Sequence, residues 1–371
     1  MADNKDKKVL NVPALRFPEF TDEWKKIRLG DNCSIQMCKR IMAAQTNTEG
    51  GVPFYKIGTI GGKADAYISK DLFDEYKRKY SYPNKGEVMI TCAGTVGKCV
   101  IYDGEDSYYQ DSNIVWIDNP NEIISNDFLY HLLSNINWSY LNSTTIVRIY
   151  NDDLRNLKLC CPRLDEQKKI ARFLSLINER IATQNKIIED LRLLIKGIIE
   201  TVTSSQKPNT LIKDCLECNS SILQESQVAK YGAFSVYGAT GITGYTEAAD
   251  VNGESILIIK DGSGVGTVKY VTGEYSYIGT LNRLIAKDGY CLKYIYFALQ
   301  RFSFEPYKTG MAIPHIYFRD YGKAKIYCPS LSLQTLIAQK LSLIENEMEV
   351  EKRIILCYQL QKSYLLSRMF I

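Results

Sequence analysis

The chain has 371 residues, 45% of them hydrophobic and 24% charged, with a formal net charge of +4. That is room for about two domains with their own cores. No apolar run is long enough to span a bilayer, and so mild a charge does not by itself mark a nucleic-acid binder. The cysteines number 11, odd and scattered, which fits reduced thiols in a cytoplasm better than a disulfide framework. Tyrosine is the marked excess at 26; it either builds strands or supplies flat faces with polar tips.

Residues 1–12, MADNKDKKVLNV, are polar, lack the apolar region of a signal peptide and are expected to be a flexible lead-in. FYKIGTIGGKADAY (54–67) is a glycine-rich loop region. Gly-Glu-Val-Met-Ile (86–90) predicts a strand that runs into TCAGTVGKCVIY (91–102), giving strand, glycine turn, strand. From about Asp165 to Thr201 the apolar residues Ile170, Leu174, Ile177, Ile181, Ile188 and Leu191 fall on one face of a long helix. TSSQKPNT (203–210) reads as a linker. Cys215-x-x-Cys218 lacks the second pair a zinc ribbon needs and reads as structural thiols. YGATGITGY (237–245) is a hydrogen-bonding loop, and GESILII (253–259) predicts a strand entering a second glycine turn, IKDGSGVGTVKYV (259–271). A second long helix is predicted from about Ser332 to Met369, its stripe formed by Ile337, Leu341, Ile344, Met348, Ile355 and Tyr358.

The second half restates the first. LSLI ends at Ile177 and again at Ile344, and the two stripes match residue by residue at an offset of 167. The match extends backwards through Gln167 and Gln334, Pro162 and Pro329, Ile149-Tyr150 and Ile316-Tyr317, and FLYHLLSN (128–135) and YIYFALQR (294–301). It continues from Gly97, Gly104, Ser107, Tyr108 and Asn113 to Gly266, Gly273, Ser276, Tyr277 and Asn282 at an offset of 169. Small loop insertions produce such drift, so the chain is a tandem duplication. The expected fold is α+β, with two strand-rich domains carrying short helices, and boundaries at 1–12, 13–162, 163–206, 207–330 and 331–371. Residues 163–206 and 331–371 are helical spacers. A long amphipathic helix needs a partner, so the two are expected to pack as an antiparallel coiled coil with a pseudo-two-fold axis, although each could instead fold back on its own domain.

Catalytic signals are missing from the sequence. The two histidines, His131 and His315, lie in different halves. No HExxH, GxSxG, phosphate loop or amino-methylating motif occurs. The glycine turns carry hydroxyl and basic neighbours (Thr91, Thr95, Lys98; Lys260, Ser263, Thr267, Lys269), which suits a backbone approaching a polyanion.

PALRFPEFTDEWKKIRLGD (13–31), YGATGITGY followed by DGSGVGTV, and the Pro-x-Leu-x-x-Gln-x-x-Ile-Ala entry to each helix resemble specificity subunits of Type I restriction–modification systems. The resemblance covers the chain from about Pro13 onward. It implies a non-catalytic, cytoplasmic, DNA-reading subunit with no membrane role. Each recognition domain would read one half of a bipartite site in double-stranded DNA, and the helices would set the gap and dock two modification subunits. No cofactor is expected on this chain: S-adenosylmethionine would sit in the modification subunit, and ATP and Mg in the restriction subunits. The helices agree between halves while the loops diverge, so DNA contact is expected from Lys56, Thr59, Lys98, Tyr109, Gln110 and Arg148 in the first domain. In the second it is expected from Tyr237, Thr240, Thr243, Lys260, Ser263, Lys269, Arg283 and His315. A coiled-coil scaffold for protein partners, or an enzyme with an unrecognised site, stands as the alternative.

Overall fold

The computed structural model describes residues 10–120, 123–141, 148–204, 206–310 and 313–371; most of the predicted lead-in, residues 1–9, lies outside them. The chain divides into two compact units. One holds the described residues up to Thr183 together with Ile355–Ile371, and the other holds Gln184–Ile354.

In unit one, Lys25–Arg28 pairs antiparallel with Lys158–Cys161 beside the start of the first long helix. An antiparallel sheet follows in the spatial order Ser34–Met37, Ile114–Asp118, Val88–Thr91, Cys99–Ile101. Val88–Thr91 is buried along its whole length because it is covered on both faces. Side chains alternate across a strand: Val88 and Ile90 join the core that holds Trp24, Phe128 and Leu129, whereas Met89 joins a second core with Tyr108, Tyr109 and Trp116. Part of the tyrosine excess is therefore structural. Above this second core lies a small sheet ordered Thr46–Asn47, Tyr67–Ile68, Val52–Tyr55, Tyr108–Tyr109, its last pair parallel. A helix, Lys70–Lys79, is capped by the Ser69 hydroxyl and buries Phe73.

Unit two repeats the scaffold. Thr210–Leu211 pairs with Lys325–Ile326, and a sheet is ordered Leu216–Ser220, Leu281–Ala286, Ser255–Ile259, Val268–Val271. Its second sheet differs: Gly241–Thr246, Phe234–Gly238, Glu274–Tyr277, Val251–Asn252. There the YGATGITGY segment forms a hairpin in place of the loop and helix of unit one.

The register between halves also needs correcting. Tyr109 pairs with Tyr55 as Tyr277 pairs with Tyr237, and Cys92 N–H donates to Asn113 O as Lys260 N–H donates to Thr280 O. Tyr277 therefore stands where Tyr109 does and Thr280 where Asn113 does, rather than the partners expected at an offset of 169. Sheet pairing decides register, and the loops on either side absorb the difference.

The long helices run Leu164–Ser204 and Leu331–Met369. The matching glutamines explain how each is seated. Gln167 Oε1 accepts from the N–H of Ser125, the N-cap of the helix Asn126–Asn135, while its Nε2 donates to Ile123 O and Pro162 O. Gln334 repeats this with Cys291 N–H and Pro329 O. Both side chains are buried, so the bonds replace water. The two expectations for the helices turn out not to exclude each other. In unit one Ile170, Leu174 and Ile177 pack into the unit's own core together with Leu365 and Met369 from the end of the second helix, with Ile181 and Tyr358 against them. In unit two Ile195 and Ile199 pack with Phe297 and Leu341, with Ile337, Ile344 and Met348 against them. The end of one helix thus meets the start of the other, as antiparallel pairing requires. Ile188 and Ile355 are buried and Leu191 is half-buried. Each long helix gives one part to each compact unit, with the divisions at Thr183/Gln184 and Ile354/Ile355.

Candidate nucleic-acid interface

Each unit presents a glycine turn at the end of its central buried strand. Gly94 and Gly97 take positive φ (65° and 83°), as do Gly262 and Gly266 (102° and 90°), a region that disfavours residues with a Cβ. A Cβ on Gly97 would stand 2.2 Å from Cδ1 of Trp138, and one on Gly266 would stand 2.9 Å from Cβ of Phe304. Trp138 and Phe304 follow the helices Asn126–Asn135 and Leu292–Arg301, so in both units an aromatic ring lies directly against the turn. Beside each turn is a concavity, about 730 Å³ in unit one, lined by Thr95, Lys98, Ser134, Asn137 and Ser139, and about 460 Å³ in unit two, lined by Thr267, Gln300, Ser303 and Lys308. The Thr91 hydroxyl accepts from Lys98 N–H at 3.0 Å and donates to Thr95 O, closing the first turn.

In unit one several expected contacts cluster around residues 56–60. Lys56 Nζ pairs with Asp65 at 2.9 Å. The Thr59 hydroxyl accepts from Lys56 N–H, Lys98 Nζ donates to Ile60 O, and Gln110 Oε1 accepts from Ile57 N–H. Their amphipathic ends are thus partly committed to holding the loop. Tyr109 is a correction: it is only 4% exposed, stacked on Tyr55 with ring centroids 5.8 Å apart, and its hydroxyl bonds to Ser107 Oγ. Burial also raises its phenol pKa. It belongs to the core of unit one. Arg148 is half-buried and reaches Ser112 Oγ at 3.5 Å.

In unit two Lys260 and His315 come together at Asp261, while Ser263 is exposed in the glycine turn that follows. Gly262 N–H donates to Pro314 O, Asp261 bridges to His315, and His315 Nδ1 lies 2.7 Å from Asp261 Oδ1. Lys260 Nζ is 3.9 Å from the same carboxylate. Tyr237 and Lys269 form a second group, the ammonium 4.6 Å above the ring. Thr240 is exposed at the hairpin tip, and the Thr243 hydroxyl donates to Glu225. Arg283 is half-buried in the middle of Leu281–Ala286; its Nε has no partner among the described residues. His131, by contrast, is buried against Ser175 Oγ, and burial together with the Lys362 charge lowers its pKa to about 4. Sequence reasoning missed Asp261 as the partner of His315 and Ser112 as that of Arg148. Asp261 is 54 residues from His315 in sequence, and no local spacing signals the contact.

No helix among the described residues is long and apolar enough to cross a membrane. The fold is similar to that of the Type I restriction–modification S subunit from M. genitalium (TM-score 0.66, 17% identity, 97% of this chain and 99% of that one). It is also similar to a chain from a structural study of Type I R-M complex assembly and conformational transition (TM-score 0.52, 15% identity, 94% and 97%). In sequence, 176 residues are 49% identical to a putative type I restriction enzyme specificity subunit of Haemophilus influenzae, covering 47% of this chain and 45% of that one. The MjaVIII specificity subunit of Methanocaldococcus jannaschii is 27% identical over 202 residues, 53% and 45% of the two chains. The matches span about half the length of these curated relatives. The family described as Type I restriction modification DNA specificity domain matches twice, over residues 21–193 and 211–356, so one match falls on each copy of the repeated scaffold, and the chain belongs to that family.

Proposed function

We propose that this chain is the DNA-reading subunit of a Type I restriction–modification complex, each unit recognising one half of a bipartite duplex site. The observation that carries this reading is the contrast between the units. They share the central sheet, the glycine turn with its aromatic backing and the glutamine-seated helix, but they differ in the second sheet beside the turn. One scaffold with two different faces suits two different half-sites. The paired helices act as the ruler between half-sites and as the docking surface for two modification subunits. Leu336, Leu343 and Val350, seven residues apart on the second helix, remain exposed, which supports docking by a partner's apolar helix. Methyl transfer and cleavage belong to the modification and restriction partners, which carry S-adenosylmethionine and ATP with Mg.

The test is exchange of residues 211–326 for the corresponding region of a related subunit, followed by genome-wide mapping of N6-methyladenine with the modification partner present. The second half-site alone should change. A change in both halves, or methylation with no bipartite motif, refutes the reading.

A further inference from the structure

Two tripeptides stand at the same place in the two units, Arg148-Ile149-Tyr150 and His315-Ile316-Tyr317. In each, the central isoleucine is buried, at 2% and 1% exposure. Its N–H donates to the backbone at the root of the glycine turn: Ile149 N–H to Cys92 O at 2.9 Å, and Ile316 N–H to Lys260 O at 3.0 Å. Tyr150 and Tyr317 have extended backbone. Side chains alternate along an extended segment, so the residues on either side of a buried isoleucine share the outward face. The tyrosines are accordingly 59% and 45% exposed, each with a guanidinium beside its ring, that of Arg148 at 5.8 Å and that of Arg319 at 4.9 Å.

The tyrosine is the same in both units, but the residue two places before it is not. Arg148 carries a guanidinium, which can only donate. His315 is oriented through Nδ1 by Asp261. A carboxylate can only accept, so Nδ1 is the nitrogen that carries a proton towards Asp261, and Nε2 is the nitrogen left to face a ligand, an acceptor whenever the ring holds a single proton. One position on a common scaffold thus carries a donor-only side chain in one unit and a side chain able to accept in the other. In the major groove guanine offers the acceptors N7 and O6, whereas adenine and cytosine offer an amino donor.

We propose that residues 148 and 315 are one specificity position used twice. Arg148 reads a guanine in the first half-site. His315 reads the amino group of an adenine or cytosine in the second, with Asp261 as its positioning residue. Tyr150 and Tyr317, identical in the two units, contact the DNA backbone alongside without regard to sequence. The inference rests on the DNA-reading function proposed above and adds to it the chemical class of base at one place in each half.

The test uses the full chain with its modification subunit and maps N6-methyladenine across a genome. Competition binding with duplexes carrying each base at each position of the motif runs in parallel. Arg148→Ala should relax one position of the first half-site, and His315→Ala one position of the second, each losing about 5- to 150-fold in discrimination there. His315→Arg should shift that second position towards guanine while the first half-site and the gap stay as they were. Asp261→Asn should relax the same position as His315→Ala, with folding by circular dichroism unchanged; a merely structural role would weaken all duplexes equally. An unchanged motif in both alanine variants overturns the inference, as does a uniform loss of affinity across all bases. Where alanine prevents folding, Arg148→Lys and His315→Gln decide, and a wild-type motif in both overturns it. A wild-type complex without any bipartite motif would instead refute the underlying function.

Discussion

Gly97→Ala should destabilise unit one through two separable effects. Gly97 has φ 83°, and placing a residue with a Cβ in the left-handed region costs about 1–2 kcal/mol. The new methyl would also stand 2.2 Å from Trp138 Cδ1 and 2.6 Å from its Nε1. The indole is buried, so it must shift within a packed core, which costs about a further 1–3 kcal/mol. Gly86 is the control: its φ is 92°, but nothing lies within 4 Å of the Cβ position, so Gly86→Ala should cost only the conformational part. All three tryptophans, Trp24, Trp116 and Trp138, lie in unit one, so tryptophan fluorescence during urea unfolding reports on that unit. With a slope of about 2 kcal/mol per M, Gly97→Ala should lower the midpoint by about 1–2.5 M, distinctly more than Gly86→Ala. Trp138→Leu should make room for the methyl, so Gly97→Ala on that background should cost no more than Gly86→Ala does. Equal costs at Gly97 and Gly86 in the unaltered chain would refute the idea that an aromatic ring holds the turn.

Arg16 makes a two-pronged pair with Glu166, both bonds 2.7 Å, and the carboxylate side chain is 2% exposed. Arg16→Ala strands that charge and should cost about 3–5 kcal/mol in the tryptophan transition, whereas Arg16→Met with Glu166→Leu should cost far less. His131 has a pKa lowered from 6.5 to about 4, by burial first and the Lys362 charge second. The unfolded chain takes up its proton first, so stability is full above about pH 6.5, falls as the pH drops to about 4, and levels off below. The loss is at most about 3 kcal/mol. His131→Leu should flatten that slope in urea titrations at pH 7 and 5, and an unchanged slope would show that another group carries it. Adding four residues after Gln184 lengthens the first helix by about 6 Å. If the helices are the ruler, the unread gap in the methylated motif should grow by one or two base pairs while the half-sites stay the same. An unchanged gap with retained methylation would leave the helices only their docking role.

The duplication, the two long helices and the stripe residues were legible in the sequence. Helical periodicity is local, and a copied scaffold repeats its buried positions: Leu174 and Leu341, at matching stripe positions, are both fully buried. The paired glutamines could be seen to match, but their purpose could not. Gln167 bonds to residues 123 and 125, more than 40 positions away, and only the packed helix brings them together. The candidate contact face was the least legible part. A Tyr in a loop and a Tyr in a core look alike in one dimension, so Tyr109 was assigned to the surface although the parallel pairing with Tyr55 buries it. The outward tripeptides Arg148-Ile149-Tyr150 and His315-Ile316-Tyr317 were visible as a repeat, but their facing depends on which residue the turn pins inward. Local chemistry sets periodicity, turns and copy number by itself. Register, burial and the pairing of His315 with Asp261 are contacts between distant segments, so the tertiary fold alone decides them.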